Sequence, residues 1–213
     1  MVVPTDNSTE KISNNLLPLT AEGIVVDIGT GDGLFVYQSA RQNPNKFYLG
    51  IDANVHPLEK ISEKIHRKPT KGGAPNVLFV QSGVEDLPGE LDAVADEVHI
   101  HFPWGSLLKA VASGDIDVLA NVRRICTTDA LLEVVVGLDP ARDRAEISRL
   151  GLQSFTIELI DRELVQRYRA AGFEIKERGS LLAGDWPEFK TSWAKRLKGS
   201  DARPIVYLIA RAV

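Results

Sequence analysis

The sequence holds a single cysteine among its 213 residues, Cys126. No internal disulfide can form, and a zinc site built from several cysteines is excluded. The apolar neighbours Val122 and Ile125 suggest a buried thiol. Long apolar runs are also missing. None approaches the length of a membrane span, so no membrane association is expected. Met1 to Glu10 is polar and lacks the basic-then-apolar order of a secretory signal, which makes the cytoplasm the expected location. Repeats and low-complexity segments are absent. Excess charge is small: 25 Lys and Arg face 29 Asp and Glu, a formal net charge of −4. That excludes an evenly positive coat but leaves room for a local basic patch. What is present, 44% hydrophobic and 25% charged residues, fits one soluble domain with a sizeable core.

Residues 1–20 are polar and weakly patterned and read as an N-terminal extension. Residues 21–213 read as one domain with inserts at about 138–160 and 180–199. Seven strands are predicted: Gly23–Ile28, Lys46–Ile51, Val77–Gln81, Glu97–His101, Ala130–Val136, Phe173–Arg178 and Ile205–Ala210. A helix is predicted from Asp32 or Gly33 to about Gln42, with Leu34, Tyr37, Gln38 and Arg41 at helical spacing. Val55–His66 is amphipathic through Leu58, Ile61 and Ile65. A further helix runs from about Ser106 to Ile125, with a break near Ser113-Gly114. Asp139–Leu150 reads as a charged inserted helix, and Asp161–Gly172 as a helix capped by Asp161. Strands alternating with helices imply an α/β, mostly parallel, doubly wound sheet. The long connection between the last two strands suggests that the final one is antiparallel. This layout resembles the Rossmann-like class I S-adenosylmethionine-dependent methyltransferases.

The chain is organised around Val25-Val26-Asp27-Ile28-Gly29-Thr30-Gly31-Asp32-Gly33. An apolar run that stops at an acid and alternating glycines is a buried strand turning sharply into a helix. The glycines permit positive φ and close approach of a ligand. Asp52 follows a second apolar run, where an acid can hold a ribose diol. A tight strand-to-helix turn with a capping Asp is the structural alternative. The pattern is G-x-G-x-G rather than G-x-G-x-x-G, and Asp32 stands where a dinucleotide pyrophosphate would lie. A carboxylate there repels phosphate. With Asp27 beneath, it suits the cationic amino group and sulfonium of S-adenosylmethionine. Glu85 stands after the third strand, where an acid commonly faces the adenine.

The turn after strand four is Phe102-Pro103-Trp104-Gly105. Proline fixes φ and aims neighbouring carbonyls outward. Trp104 is either a core aromatic at a helix start or a stacking surface for a base. Trp193, in the loop before the last strand, tips this toward a clamp on a flipped base. Lys190, Lys195, Arg196, Lys198 and Arg203 lie near it. A second basic cluster is Lys60, Lys64, Arg67, Lys68 and Lys71. Each cluster reads as a solvated face or, together with the aromatics, as a docking surface for RNA. His99 and His101 precede the turn, and a core or edge role is expected for both. The sequence points to no metal ligands.

Four stretches together resemble one family: Asp27 to Gly33, Lys68-Pro69-x-Lys71-Gly72-Gly73, Phe102-Pro103-Trp104-Gly105-Ser106-Leu107-Leu108, and Ser192-Trp193-Ala194-Lys195-Arg196-Leu197. It is the 16S ribosomal RNA adenine-1408 N1-methyltransferases, which give resistance to aminoglycosides such as kanamycin and apramycin. The resemblance implies methyl transfer from S-adenosylmethionine, leaving S-adenosylhomocysteine, to one adenine of 16S rRNA in the assembled 30S subunit. It implies a cofactor site of Gly29, Thr30, Gly31, Asp32, Asp52, Ala53, Gly83, Val84, Glu85, Phe102, Ser106 and Leu107. Phe102 and Pro103 form the floor, and Trp104 and Trp193 clamp the base. RNA contacts are implied for Lys64, Arg67, Lys68, Lys71, Glu146, Thr191, Ser192, Lys195, Arg196 and Arg203. No general base is needed, because N1 of adenine carries a free lone pair. A monomer is expected. A tRNA guanine-N7 methyltransferase also places Pro-Trp after strand four, but Phe102 stands where its acid is usual. A small-molecule methyltransferase needs no basic clusters. A non-catalytic RNA-binding homologue is the remaining alternative.

Overall fold

The computed structural model describes residues 2–4, 21–181 and 204–213, the first three as backbone only. The strands are β1 (Val2–Pro4), β2 (Ile24–Ile28), β3 (Phe47–Asp52), β4 (Val77–Gln81), β5 (Ala95–His101), β6 (Cys126–Val136), β7 (Phe173–Leu181) and β8 (Ile205–Ala212). The helices are α1 (Leu34–Gln42), α2 (Glu59–Ile65), α3 (Gly105–Ser113), α4 (Ile116–Ile125), α5 (Arg144–Leu150), α6 (Ile157–Leu159) and α7 (Val165–Ala170). One sheet has the order β1-β4-β3-β2-β5-β6-β8-β7. All pairings are parallel except those of β8, which runs antiparallel to β6 and β7. This is the class I methyltransferase sheet of seven strands, with β1 added beside β4 at the edge.

The expected seven strands are all present, four of them longer than expected. Strand β5 starts at Ala95, β6 at Cys126, β7 continues to Leu181 and β8 to Ala212. The addition is β1, in a segment read from sequence as poorly patterned. Its β-branched Val2 and Val3 suit a strand, and Pro4 is tolerated at an edge.

Two apolar layers hold the sheet. Helices α1 and α2 press Val36, Tyr37, Ala40, Ile61 and Ile65 onto Val25, Tyr48, Val77 and Phe79. Helices α3, α4 and α7 press Leu108, Val111, Leu119, Val122 and Tyr168 onto the opposite face. Burial on both faces explains why β2 and β3 read as unbroken apolar runs. The buried stripe of α1 is Val36, Tyr37 and Ala40, whereas Leu34, Gln38 and Arg41 are not fully buried. Tyr37 belongs to both sets of helical spacings, and the strand order decides which side faces in.

The long helix expected from Ser106 breaks as anticipated. Gly114 adopts φ 62°, and the Asp115 side chain accepts from the amides of Asp117 and Val118, both at 3.2 Å. The helix expected to begin at Asp161 starts earlier. Thr156 is its cap, its hydroxyl accepting from Leu159 N–H at 3.2 Å. A π-turn, Ile160–Leu164, joins α6 to α7. Asp161 instead pairs with Arg178 at 2.6 Å. Tyr168 is fully buried and donates to the Val111 carbonyl at 3.1 Å, tying α7 to α3.

Strand order reverses at β2, whose neighbours β3 and β5 connect in opposite directions. A cleft opens there, beyond the carboxyl ends of the strands, and the turns after β2, β3, β4 and β5 lead into it.

Candidate active site

The turn from β2 into α1 builds the first wall. Gly29 and Thr30 N–H both donate to the Ile51 carbonyl, at 2.8 and 3.1 Å, which bends the chain away from the sheet. Gly31 follows at φ 58°, with no atom within 4 Å of where a side chain would begin. Its N–H donates to Asp52 Oδ2 at 2.8 Å. The other carboxylate oxygen, Oδ1, accepts from Asn54 N–H at 2.8 Å. Each oxygen retains a lone pair directed outward. Asp32 turns Oδ1 back to Leu34 N–H at 3.2 Å, so it caps α1 as well as lining the cleft.

A cavity of about 270 Å³ follows. The glycine turn contributes Gly29, Thr30, Gly31 and Asp32, and β3 ends in Asp52 and Ala53. Gly83, Val84 and Glu85 line it after β4, and Phe102, Pro103, Trp104, Ser106 and Leu107 after β5. The sequence reading thus named the residues of four separate turns that converge on one cavity. It missed Ser82, whose hydroxyl bonds to the Asp86 carbonyl at 2.7 Å and shapes the third turn. It missed His101 as a wall residue as well.

The turn after β5 is strained. Phe102 sits at φ 50°, a region that bulky residues avoid. Its N–H donates to the Val135 carbonyl at 2.7 Å, and its ring packs on Val135 and Ile205. These contacts hold the strain and send Pro103 and Trp104 across the cleft mouth. Trp104 remains 48% exposed, so it is not a core aromatic. Helix α5 of the insert packs against α3, which begins at Gly105, and its Glu146 is gripped by Arg149 through two bonds of 2.6 and 2.7 Å. The insert therefore braces this turn.

Beneath the cavity lies a buried polar row. Asp27 is 3% exposed, and burial pushes its carboxyl pKa up while Thr30 and the imidazoles of His101 and His99 oppose the rise. Burial alone pulls the His99 pKa down, but the Glu133 and Glu97 carboxylates outweigh it and hold it up to about 9. The Glu133 carboxyl stays well below its ordinary value, because His101 and His99 outweigh its burial. Hydrogen bonding to His99, and then to Lys46, lowers Glu97 to about 2.

The second basic cluster does not line the cleft. Lys64 is on α2, and Arg67, Lys68 and Lys71 are on the loop leading to the start of β4. That loop is tightly folded. Lys68 carbonyl accepts from Lys71 and Gly73 N–H at 2.7 and 3.1 Å, and Tyr37 Oη donates to the Gly72 carbonyl at 2.8 Å. Lys64 Nζ lies 4.4 Å from the Tyr37 ring centre. A side chain at Gly73 would come within 1.6 Å of the Arg67 carbonyl, so the position demands glycine. Thr191, Ser192, Trp193, Lys195, Arg196 and Arg203 lie outside the described residues.

The comparisons agree with this geometry. A family model described as 16S rRNA (adenine(1408)-N(1))-methyltransferase matches residues 9–212. A protein of that name from Escherichia coli is 39% identical over 176 residues, covering 81% of this chain and 79% of the relative. The crystal structure of the aminoglycoside resistance methyltransferase NpmB1 superposes with a TM-score of 0.78 at 44% identity, covering 92% of this chain and 89% of that one. A variant of the enzyme from Catenulisporales acidiphilia, solved with cosubstrate SAM, gives a TM-score of 0.81 at 33% identity over 91% of this chain and 87% of that one. With an acid-lined nucleoside cleft on a class I sheet and these matches along nearly its whole length, the chain belongs to the 16S rRNA (adenine(1408)-N(1))-methyltransferase family.

Proposed function

We propose that this protein methylates N1 of adenine 1408 of 16S rRNA in the assembled 30S subunit and so gives resistance to aminoglycosides such as kanamycin and apramycin. The observation that carries this reading is the union of an acid-lined cavity with a half-exposed Trp104 at its mouth. S-adenosylmethionine, when bound, supplies a methyl group activated on a cationic sulfur. The residues present fit it. The open space over Gly31 admits close approach, Asp52 offers two oxygens to a ribose diol, and Asp32 and Asp27 favour a cation over a pyrophosphate.

The chain then has four tasks. Gly83, Val84 and Glu85 enclose the adenine of the cofactor. Phe102 and Pro103 form the floor under the target base and exclude water from it. Trp104, with Trp193 from the loop before β8, stacks on the flipped adenine, a contribution of roughly 1–3 kcal/mol per base. Basic residues Lys64, Arg67, Lys68, Lys71, Lys195, Arg196 and Arg203 meet RNA phosphates, Glu146 also contacts the RNA, and Thr191 or Ser192 bonds to the base or the cofactor. No side chain removes a proton. Phe102, Pro103, Trp104 and Trp193 would hold the N1 lone pair in line with the methyl group of the bound cofactor. The cationic product base is stabilised by the tryptophan faces. Alignment rather than acid–base chemistry supplies the rate.

The enzyme acts as a cytoplasmic monomer. No helix among the described residues is long and apolar enough to cross a membrane. Expression in a susceptible bacterium tests the proposal. Kanamycin and apramycin resistance should appear together with a primer-extension stop at adenine 1408. Absence of both, with no methyl incorporated into purified 30S subunits, refutes it. Methylation of tRNA instead supports the guanine-N7 alternative.

A further inference from the structure

Asp27, His99 and Glu133 stand side by side at one level of three adjacent parallel strands, β2, β5 and β6. His101 lies two residues further along β5 and so projects from the same face. Phe35 of α1 covers both imidazoles, with ring-centre distances of 5.2 Å to His99 and 4.9 Å to His101. Both histidines are buried. Two imidazoles and a carboxylate in the middle of a doubly covered parallel sheet are costly unless they are mutually engaged.

Their nitrogens converge. Glu133 Oε1 is 2.5 Å from His101 Nε2 and 3.5 Å from His99 Nδ1. The other nitrogen of His99, Nε2, faces Glu97 Oε2 at 3.5 Å, and Glu97 is in turn held by Lys46 at 2.6 Å. Metal-ligating histidines are held in this way: one ring nitrogen is anchored by a carboxylate, and the other is aimed at the ion. Glu97 is thus placed as the outer partner of His99, and Glu133 as the shared inner one.

We propose that His99 Nδ1, His101 Nε2 and Glu133 Oε1 form a binding site for a divalent transition-metal ion of the zinc type. One ligand atom from each of the three residues lies within 4.8 Å of the others. Zinc binds nitrogen and oxygen at about 2.0–2.2 Å, which sets tetrahedral ligand atoms roughly 3.3 Å apart. The His99–Glu133 separation already matches. The His101–Glu133 separation must open by less than about 1 Å, and it does so when the ion replaces the proton between them. A set of two nitrogens and one oxygen selects zinc-like ions over calcium or magnesium, which take oxygen ligands. Three protein ligands leave a fourth position open. The ion ties β5 to β6 directly under the cavity, whose wall includes His101. The sequence did not show this, because the ligands come from two strands more than thirty residues apart and meet only through sheet register.

The full chain, stripped with a chelator, is titrated with zinc against a chromophoric competitor, and separately with cobalt(II). One equivalent should bind, cobalt should give the visible bands of a four-coordinate nitrogen–oxygen site, and affinity should fall as pH is lowered. His99→Asn and Glu133→Gln should each weaken zinc by at least about 100-fold, and Glu97→Gln by about 10–100-fold. Circular dichroism and cofactor titration check that each variant is folded. Should a variant fail to fold, X-ray absorption on the zinc-loaded native protein reads the ligands directly and should show two imidazoles. No zinc binding by the native protein, unchanged affinity in folded Glu133→Gln, or a spectrum without imidazole each overturns the proposal. None of these outcomes bears on RNA methylation, so the two readings fail separately.

Discussion

Gly31 N–H donates to Asp52 Oδ2 at 2.8 Å, so the turn after β2 is held by the acid at the end of β3. The bond links two positions 21 residues apart that both face the cavity. Asp52 therefore acts twice, fixing the glycine turn and offering its remaining lone pairs to the cofactor. Asp52→Ala removes both functions, and Asp52→Asn turns a donor amide toward Gly31 or Asn54 N–H. Hydrogen bonds to charged groups contribute roughly 1.5–3 kcal/mol, so cofactor affinity measured by calorimetry should fall by about 10–100-fold in either variant.

Trp104 should separate binding from catalysis. Its exposure means that Trp104→Ala changes thermal stability by less than about 1 kcal/mol. Cofactor affinity should stay near that of the native protein. Methyl incorporation into 30S subunits should drop at least tenfold, from the lost stacking of roughly 1–3 kcal/mol. Trp193→Ala should behave alike. Loss of cofactor binding in either variant assigns that tryptophan to structure rather than to the base clamp.

Gly73→Ala tests the basic loop without removing a charge. The added carbon meets the Arg67 carbonyl at 1.6 Å, which no rotamer relieves, so the loop must refold and move Arg67, Lys68 and Lys71. Methylation of 30S subunits should fall at least about tenfold while the cofactor affinity is unchanged, and weaker 30S retention should account for the loss. Unaltered methylation in this variant removes the loop from the RNA contact.

Cys126 should be chemically silent in the folded protein. It is buried, its Sγ bonds to the Val122 carbonyl at 3.3 Å, and burial pushes its thiol up to about 12. A thiol-specific reagent at pH 8 should react only after denaturant is added. Because the unfolded thiol ionises at lower pH than the folded one, this group withdraws stability as pH rises from about 9 toward 12.

The parts legible in the sequence were those written in consecutive residues. Strands covered on both faces gave unbroken apolar runs, and the turns at Gly29–Gly33 and Phe102–Gly105 carried their own backbone chemistry. The break at Gly114 was visible for the same reason. Features set by distant partners were not. The phase of α1 depends on which of its stripes meets the sheet. Asp161 had the chemistry of a cap, but Thr156 lay at the true start once the π-turn lengthened the helix. The histidine–glutamate cluster exists only because β5 and β6 pair in one register.

Phe102 is kept at φ 50° by the Val135 carbonyl and by its packed ring, and such a conformation stores roughly 1–3 kcal/mol. Laboratory evolution for heat tolerance alone would replace it with Gly or Asn, which accept that backbone readily. The survivors would melt later and resist drugs less, since the same strain aims Pro103 and Trp104. At this one position, robustness and resistance pull the sequence in opposite directions.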